Sequence, residues 1–197
     1  MKSMRKRSRI LIFIILLLSI SIGYALLYTD LKFSGTATIQ KQTWDVYFDN
    51  IQVTPGSKTP RAPATITSGN PTQITYNVYL ENPGDFYEFT VDAVNNGSID
   101  AMITDISVTN NGQPLELPDH VAFTYKYASG RIMENYNILA KKTNDTPTRR
   151  PIKVRIEFRD DITANDLIGI SELNLNIRFG ITYSQATDEA TDPDSPQ

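Results

Sequence analysis

The chain has 197 residues, enough for one domain of ordinary size with flanking segments, and no cysteine, which excludes disulfides, thiolate catalysis and cysteine-based zinc sites. Its formal charge of −3 is unevenly spread: residues 1–25 hold five of the 19 cations and none of the 22 acids, so the remainder carries 14 cations against 22 acids, a formal −8. That balance argues against nucleic acid as a partner, because phosphate binding needs a cationic stripe.

The five cations (Lys2, Arg5, Lys6, Arg7, Arg9) run straight into residues 10–18, nine consecutive apolar residues, and a less pure apolar stretch continues to Leu27. A charged start followed by an apolar run predicts an export signal, and the positive-inside rule carries everything after it outside the cytoplasm. As a helix, residues 10–27 would span roughly 27 Å, on the border of crossing a bilayer. Gly23 and Ala25 supply the small residues for cleavage after Ala25; the alternative is a retained anchor, with the membrane as partner through residues 10–27. The predicted organisation is therefore a signal peptide or membrane anchor over 1–25, a β-sandwich ectodomain over 26–184 and an acidic disordered tail over 185–197.

Beyond the signal the periodicity changes to two. Residues 31–39 (LKFSGTATI) and 44–53 (WDVYFDNIQV) alternate, the second with Trp44, Val46 and Phe48 on one face and Asp45, Tyr47 and Asp49 on the other. Residues 54–64 contain three prolines and a glycine and read as a surface loop. Residues 73–80 place Ile74, Tyr76, Val78 and Leu80 on one side, and Asn82-Pro83-Gly84-Asp85 is a turn signal. Residues 86–94 place Phe89, Val91 and Ala93 inward, followed by the turn Asn95-Asn96-Gly97. A strand over 101–109, with Ile103 or Met102 leading its inner face, closes at Asn110-Asn111-Gly112.

Residues 120–127 form a further strand, and 131–142 fit either helical spacing (Ile132, Tyr136, Leu139) or irregular strand and loop. Residues 152–158 alternate strictly, 161–171 connect with a short helical turn near 164–167, and 173–183 form the last strand. Eight or nine short strands separated by Gly, Pro and Asn turns predict an all-β fold, an antiparallel β-sandwich of jelly-roll type preceded by an N-terminal signal or anchor helix.

Candidate chemistry is sparse. There is one histidine, His120, with neither a His-Glu-x-x-His nor a Gly-x-Ser-x-Gly pattern, so no catalytic, metal or cofactor-binding residue is assigned and no enzyme is expected. Asp160, Asp161, Asn165 and Asp166 offer hard oxygen ligands of the kind calcium takes, without the spacing of a twelve-residue calcium loop. Asn96-Gly97-Ser98 and Asn144-Asp145-Thr146 have the form of glycosylation sequons, the first equally explained as a turn. Lys141, Lys142, Arg149 and Arg150 make a local basic patch, a solvated loop or a contact for anionic polymer.

The segment from Asn82 to Ala101 (NPGDFYEFTVDAVNNGSIDA) resembles the "PGD, then FTV, then N-x-G-S-I-x-A" signature of TasA/camelysin-type proteins, exported jelly-roll proteins of Gram-positive bacteria. Residues 22–25, an apolar stretch with a glycine ahead of the first strand, and the strand over 152–159 look similar to that arrangement. The resemblance implies a biofilm-matrix fibre subunit or cell-surface protein; the protease label attached to some members finds no zinc motif here, and no LPxTG-type sorting signal is present. The expected function is an exported cell-surface structural or matrix protein that associates with itself or other surface proteins; residues 28–39 either supply a strand to a neighbouring subunit by strand addition or pair within their own sheet. The alternative is a membrane-tethered module that recognises a glycan or peptide through the loops 54–64 or 131–150.

Overall fold

The structure, a computed structural model, describes residues 14–21, 41–161 and 173–194. The chain divides into two compact units, residues 1–41 and 42–197. In the first, residues 14–21 are helical, and the Ser19 hydroxyl donates to the Ile15 carbonyl at 2.6 Å. Ile14 to Leu18 and Ile20 are more than half exposed, the pattern of an apolar helix with no polar face of its own. Among the described residues no helix is long and apolar enough to cross a membrane, which says nothing of a β-barrel. The stretch expected to span one, 10–27, reaches beyond the described residues at both ends, and the strand expected over 31–39 lies outside them.

The second unit is all-β and antiparallel, two sheets packed on a shared apolar core. One sheet has the order β1 (Val46–Val53), β4 (Phe86–Asn95), β9 (Thr148–Phe158), β7 (Val121–Tyr127). The other runs β2 (Ala62–Ile66), β3 (Gln73–Leu80), β10 (Leu173–Gln185), β5 (Ala101–Asn110), β6 (Gln113–Pro114), with β8 (Ile138–Leu139) also on β5. β9 and β10 follow one another in the chain, yet each sits inside a different sheet.

The period-two pattern explains why these segments are strands. In β3, Ile74, Tyr76, Val78 and Leu80 are buried and the residues between them half-buried. Ile152, Val154, Ile156 and Phe158 do the same in β9; in β4 Tyr87, Phe89, Val91 and Ala93 are buried, and so is Glu88 between the first two. Between the sheets Tyr76 meets Phe89 edge-on, centroids 5.4 Å apart, and Phe48 stacks with Phe179 at 6.4 Å. Ile103, 1% exposed, turns into the core from β5, while Met102 is buried on the other side with its sulfur accepting from the Thr187 hydroxyl.

Four expectations shift. Trp44 lies ahead of β1 and is 46% exposed instead of packing beside Val46 and Phe48, and the alternation of β1 breaks at Asn50, whose φ of 55° marks the bulge in its pairing with β4. Residues 62–66, expected to belong partly to a loop, form the edge strand β2; Pro63 is tolerated because an edge does not need every amide. β9 begins at Thr148, ahead of Pro151. That proline lies just past the end of β7, whose last partner is Ile152, so no ladder bond is lost. The expected disordered tail is held as far as Asp194. Thr191 donates to the Tyr136 carbonyl and accepts from Ile138, while Arg150 pairs with Asp192 and Asp194.

Two buried tyrosines give opposite tests of this core. The Tyr76 hydroxyl is buried without a hydrogen-bond partner among the described residues, whereas the Tyr87 hydroxyl accepts from the Ala64 amide at 3.1 Å. Tyr76→Phe is expected to stabilise the protein by about 1 kcal/mol and Tyr87→Phe to cost about 1–2 kcal/mol, because the second orphans a buried amide. Urea denaturation of the two variants checks both signs.

Candidate functional site

The residues singled out for chemistry do not converge. His120 stacks edge-on against Phe158, centroids 5.0 Å apart, and its Nε2 is buried without a hydrogen-bond partner among the described residues. No hydroxyl or carboxylate among the described residues hydrogen-bonds its ring, so it has neither a nucleophile to activate nor an acid to orient it. Asp161 is engaged by Arg159, with Nε at 2.8 Å and Nη2 at 2.5 Å, and this fork holds its carboxyl below the usual range. Asn165 and Asp166, the other members of the calcium candidate, lie outside the described residues. Among the described residues there is no cluster of three or more metal-ligating side chains.

The basic patch is neutralised from several directions. Arg149 reaches Asp49 and Asp92, Arg150 reaches Asp192 and Asp194, Lys141 reaches Asp100, and Lys142 reaches Asp145. Four cations with local counterions leave little field for an anionic polymer. Arg150 also lies over the Tyr127 ring, whose burial pushes the phenol up to about 12.

The motifs behind the family resemblance have local structural work. Asn82-Pro83-Gly84-Asp85 closes with Asp85 N–H on the Asn82 carbonyl at 3.0 Å, and Gly84 takes a φ of 87° that a side chain would resist. Asn95 is fully buried; its amide donates to the Ile99 and Leu139 carbonyls, and its oxygen accepts from Gly97 N–H. Asn96 to Ser98 then hold the segment that leads into β1. Asn96 N–H bonds the Asp45 carbonyl, Ser98 N–H the Thr43 carbonyl, and the Ser98 hydroxyl accepts from Thr43 N–H. A β-carbon at Gly97 would stand 2.6 Å from the Thr43 oxygen, so only glycine permits this approach. Asn96 itself donates to the Asp45 carboxylate, and Asn144 and Asp145 both have positive φ in the turn closed by Thr143 and Thr146. Both sequon-like triplets are thus turn chemistry.

The sheet edges differ in how far they are closed. β1 carries the Asn50 bulge and gives its Phe48 amide to the Pro71 carbonyl. β2 has Pro63, an irregular register and an amide, that of Ala64, turned onto Tyr87. β5 is covered at its ends by β8 and β6. β7 is different: it pairs with β9 over seven consecutive residues with no bulge and no proline. Arg159 N–H bonds the His120 carbonyl and Ala128 N–H the Pro151 carbonyl, so even-numbered residues of β7 face β9 and odd-numbered ones face outward. Val121 N–H is capped by the Pro118 carbonyl and Tyr127 N–H by the Arg131 carbonyl. Lys126 bridges Ile132 next to that cap, which occupies the Tyr125 carbonyl, so between the caps the outward backbone groups of Phe123 and the Tyr125 amide are left without a partner among the described residues. Both rings are half-buried at the margin of the core, with Tyr125 5.7 Å from Phe179. The strand pattern of 120–127 was legible in the sequence; its edge position and capped ends depend on pairing partners far along the chain.

A scan against protein-family models, a search of curated proteins and a search of solved structures each return no match.

The outer face of the sheet containing β7 is polar and cross-linked. Glu88, 6% exposed, accepts from Thr54 at 2.8 Å and pairs with Lys153 at 3.2 Å and Arg155 at 3.5 Å. Burial pushes its carboxyl up, but the Thr54 hydroxyl and the two cations outweigh burial and hold it below its ordinary value of 4.5. A depressed folded value means stability that is full above the unfolded value and is lost as pH falls through the folded one. Unfolding free energy should therefore drop between about pH 5 and about pH 2, and Glu88→Gln should flatten that drop. Urea titrations across this range, wild type against variant, measure the difference.

Proposed function

We propose that this chain is an exported cell-surface structural protein, of biofilm-matrix type, that assembles by adding a strand to the open β7 edge. The single observation that carries the reading is that edge: a regular strand with both ends capped and the outward amide and carbonyl of Phe123 and the amide of Tyr125 unpartnered among the described residues. The added strand comes from residues 28–39 of a neighbouring copy, whose alternating LKFSGTATI run has the period such an edge accepts.

Several further features support this reading. The cationic start and apolar run of residues 1–27 have the form of a signal peptide, or of a transmembrane anchor where uncleaved, which supports an exported sandwich, secreted or tethered. A jelly roll is the finer form of the fold: connections pass repeatedly from one sheet to the other, and the last two long strands enter the middles of opposite sheets. The TasA/camelysin-type resemblance of Asn82 to Ala101 points to the same class of Gram-positive surface protein, and the clamp formed by Asn96 to Ser98 fixes the point at which the N-terminal segment leaves the sandwich.

The full chain, exported from its own signal and purified, tests the proposal by electron microscopy, sedimentation and N-terminal sequencing. A mature chain starting at Leu26 that forms fibres is expected. Phe123→Pro removes one outward amide at a proline-tolerant edge and should abolish fibres while the sandwich stays folded by circular dichroism. A strictly monomeric mature protein at high concentration would overturn the assembly reading.

A further inference from the structure

A second surface feature lies away from β7 and from both loops considered above. β3 begins at Gln73, so beyond it β10 continues without that neighbour, and a hollow of about 290 Å³ opens beside residues 180–183. One wall is the turn that carries Asn70 and Thr72, and Trp44 borders the other side. Ser107 and Thr182 contribute hydroxyls from β5 and β10. Gly180 keeps the floor open: a β-carbon there would come within 3.2 Å of the Ser107 hydroxyl and 3.6 Å of Gln73.

We infer that this hollow binds a neutral glycan, with one sugar ring laid against Trp44 and its hydroxyls bonded to the surrounding amides and alcohols. Three observations converge on that ligand class. Trp44 is the only tryptophan of the chain, and it is left 46% exposed although the sequence pattern of β1 offers it a place on the inner face. A large aromatic held half in water at a concave site presents a flat apolar surface, the partner that the C–H face of a pyranose needs. The polar groups around it are primary amides and hydroxyls, each both donor and acceptor, which match sugar hydroxyls of either sense. Among the described residues no Lys, Arg, Asp or Glu lines the hollow, which disfavours phosphate, uronic acid or a charged peptide. The size is at the small end of ligand pockets, as suits one or two rings of a chain that continues into solvent.

The placement of Trp44 follows from the clamp. Thr43 and Asp45 are bonded to the 96–98 turn on either side of it, so its backbone is fixed before any ligand arrives. Pre-set geometry of this kind lowers the ordering cost of a weak, shallow site.

Because Trp44 is the sole indole, its fluorescence reports on the site directly. The full chain, in a detergent without a sugar headgroup, is titrated with cellohexaose, chitohexaose, maltohexaose and xylohexaose, and in parallel with a neutral proline-rich peptide. A saturable shift or quench with at least one oligosaccharide is expected. By calorimetry that affinity should fall about tenfold or more in Trp44→Ala and be largely restored in Trp44→Phe, in line with loss and recovery of a stacking contact. Gln73→Ala, a change on an outward-facing side chain, should weaken the same oligosaccharide without altering the circular dichroism spectrum. No saturable response to any of the four sugars up to ~10 mM would overturn the inference. So would a response to the peptide alone, or oligosaccharide binding indifferent to Trp44→Ala. None of these results bears on fibre formation at β7, so the two proposals fail separately.

Discussion

Two consecutive strands, β9 and β10, occupy interior positions of opposite sheets, and the remainder of the sandwich is arranged around that fact. β4 and β7 meet only through β9, and β3 and β5 only through β10. The buried residues of these two strands, Ile152, Val154, Ile156 and Phe158 on one side and Leu175, Ile177, Phe179 and Ile181 on the other, face a single core. With no cysteine available, this apolar interface has no covalent substitute. Two buried asparagines add polar ties at the ends of the sandwich. Asn95 ties β4 to Ile99 and Leu139, and Asn137 accepts from the Tyr127 hydroxyl while its own amide donates to Thr191. Each brings together segments that no sheet ladder joins.

The strands that were plain in the sequence are those buried on one face and wetted on the other. β3, β4 and β9 alternate because the pleat puts successive side chains on opposite sides, and nothing in them competes with that signal. The features that escaped are those where a distant partner overrides a local rule. Pro63 reads as a loop residue until β3 makes β2 an edge; Pro151 reads as a strand boundary until the end of β7 leaves its missing amide opposite nothing. Trp44 follows the alternation perfectly and is nevertheless exposed, because the hydrogen bonds of Thr43 and Asp45 to the 96–98 turn hold its backbone ahead of the strand. The acidic composition of residues 186–194 suggests a solvated tail, yet Asp192 and Asp194 find Arg150 and the backbone of Thr191 finds Tyr136 and Ile138.

The same distinction applies to function. The absence of a zinc motif or nucleophile elbow can be read from residue types alone. An open edge and a hollow cannot, since both are defined by where neighbouring strands stop. β7 is exposed because its sheet ends there, and the Trp44 hollow exists because β3 begins at Gln73 while β10 continues to Gln185. Charge patterns were similarly incomplete: Arg149 and Arg150 look like a basic patch in sequence, and their carboxylate partners come from β1, β4 and the C-terminal segment.

The interior position of β9 and β10 also imposes an order of events on synthesis. A ribosome delivers β1 to β8 first, and none of those strands can complete either sheet, because the middle of each is still unmade. Closure requires pairings such as Phe179 with Ile74 and Val154 with Phe89, partners separated by many tens of residues. The earlier strands can pair among themselves, as β1 does with β4 and β2 with β3, but neither sheet is complete until the last quarter of the chain has emerged. A topology of this kind ties completion of the sandwich to the end of synthesis.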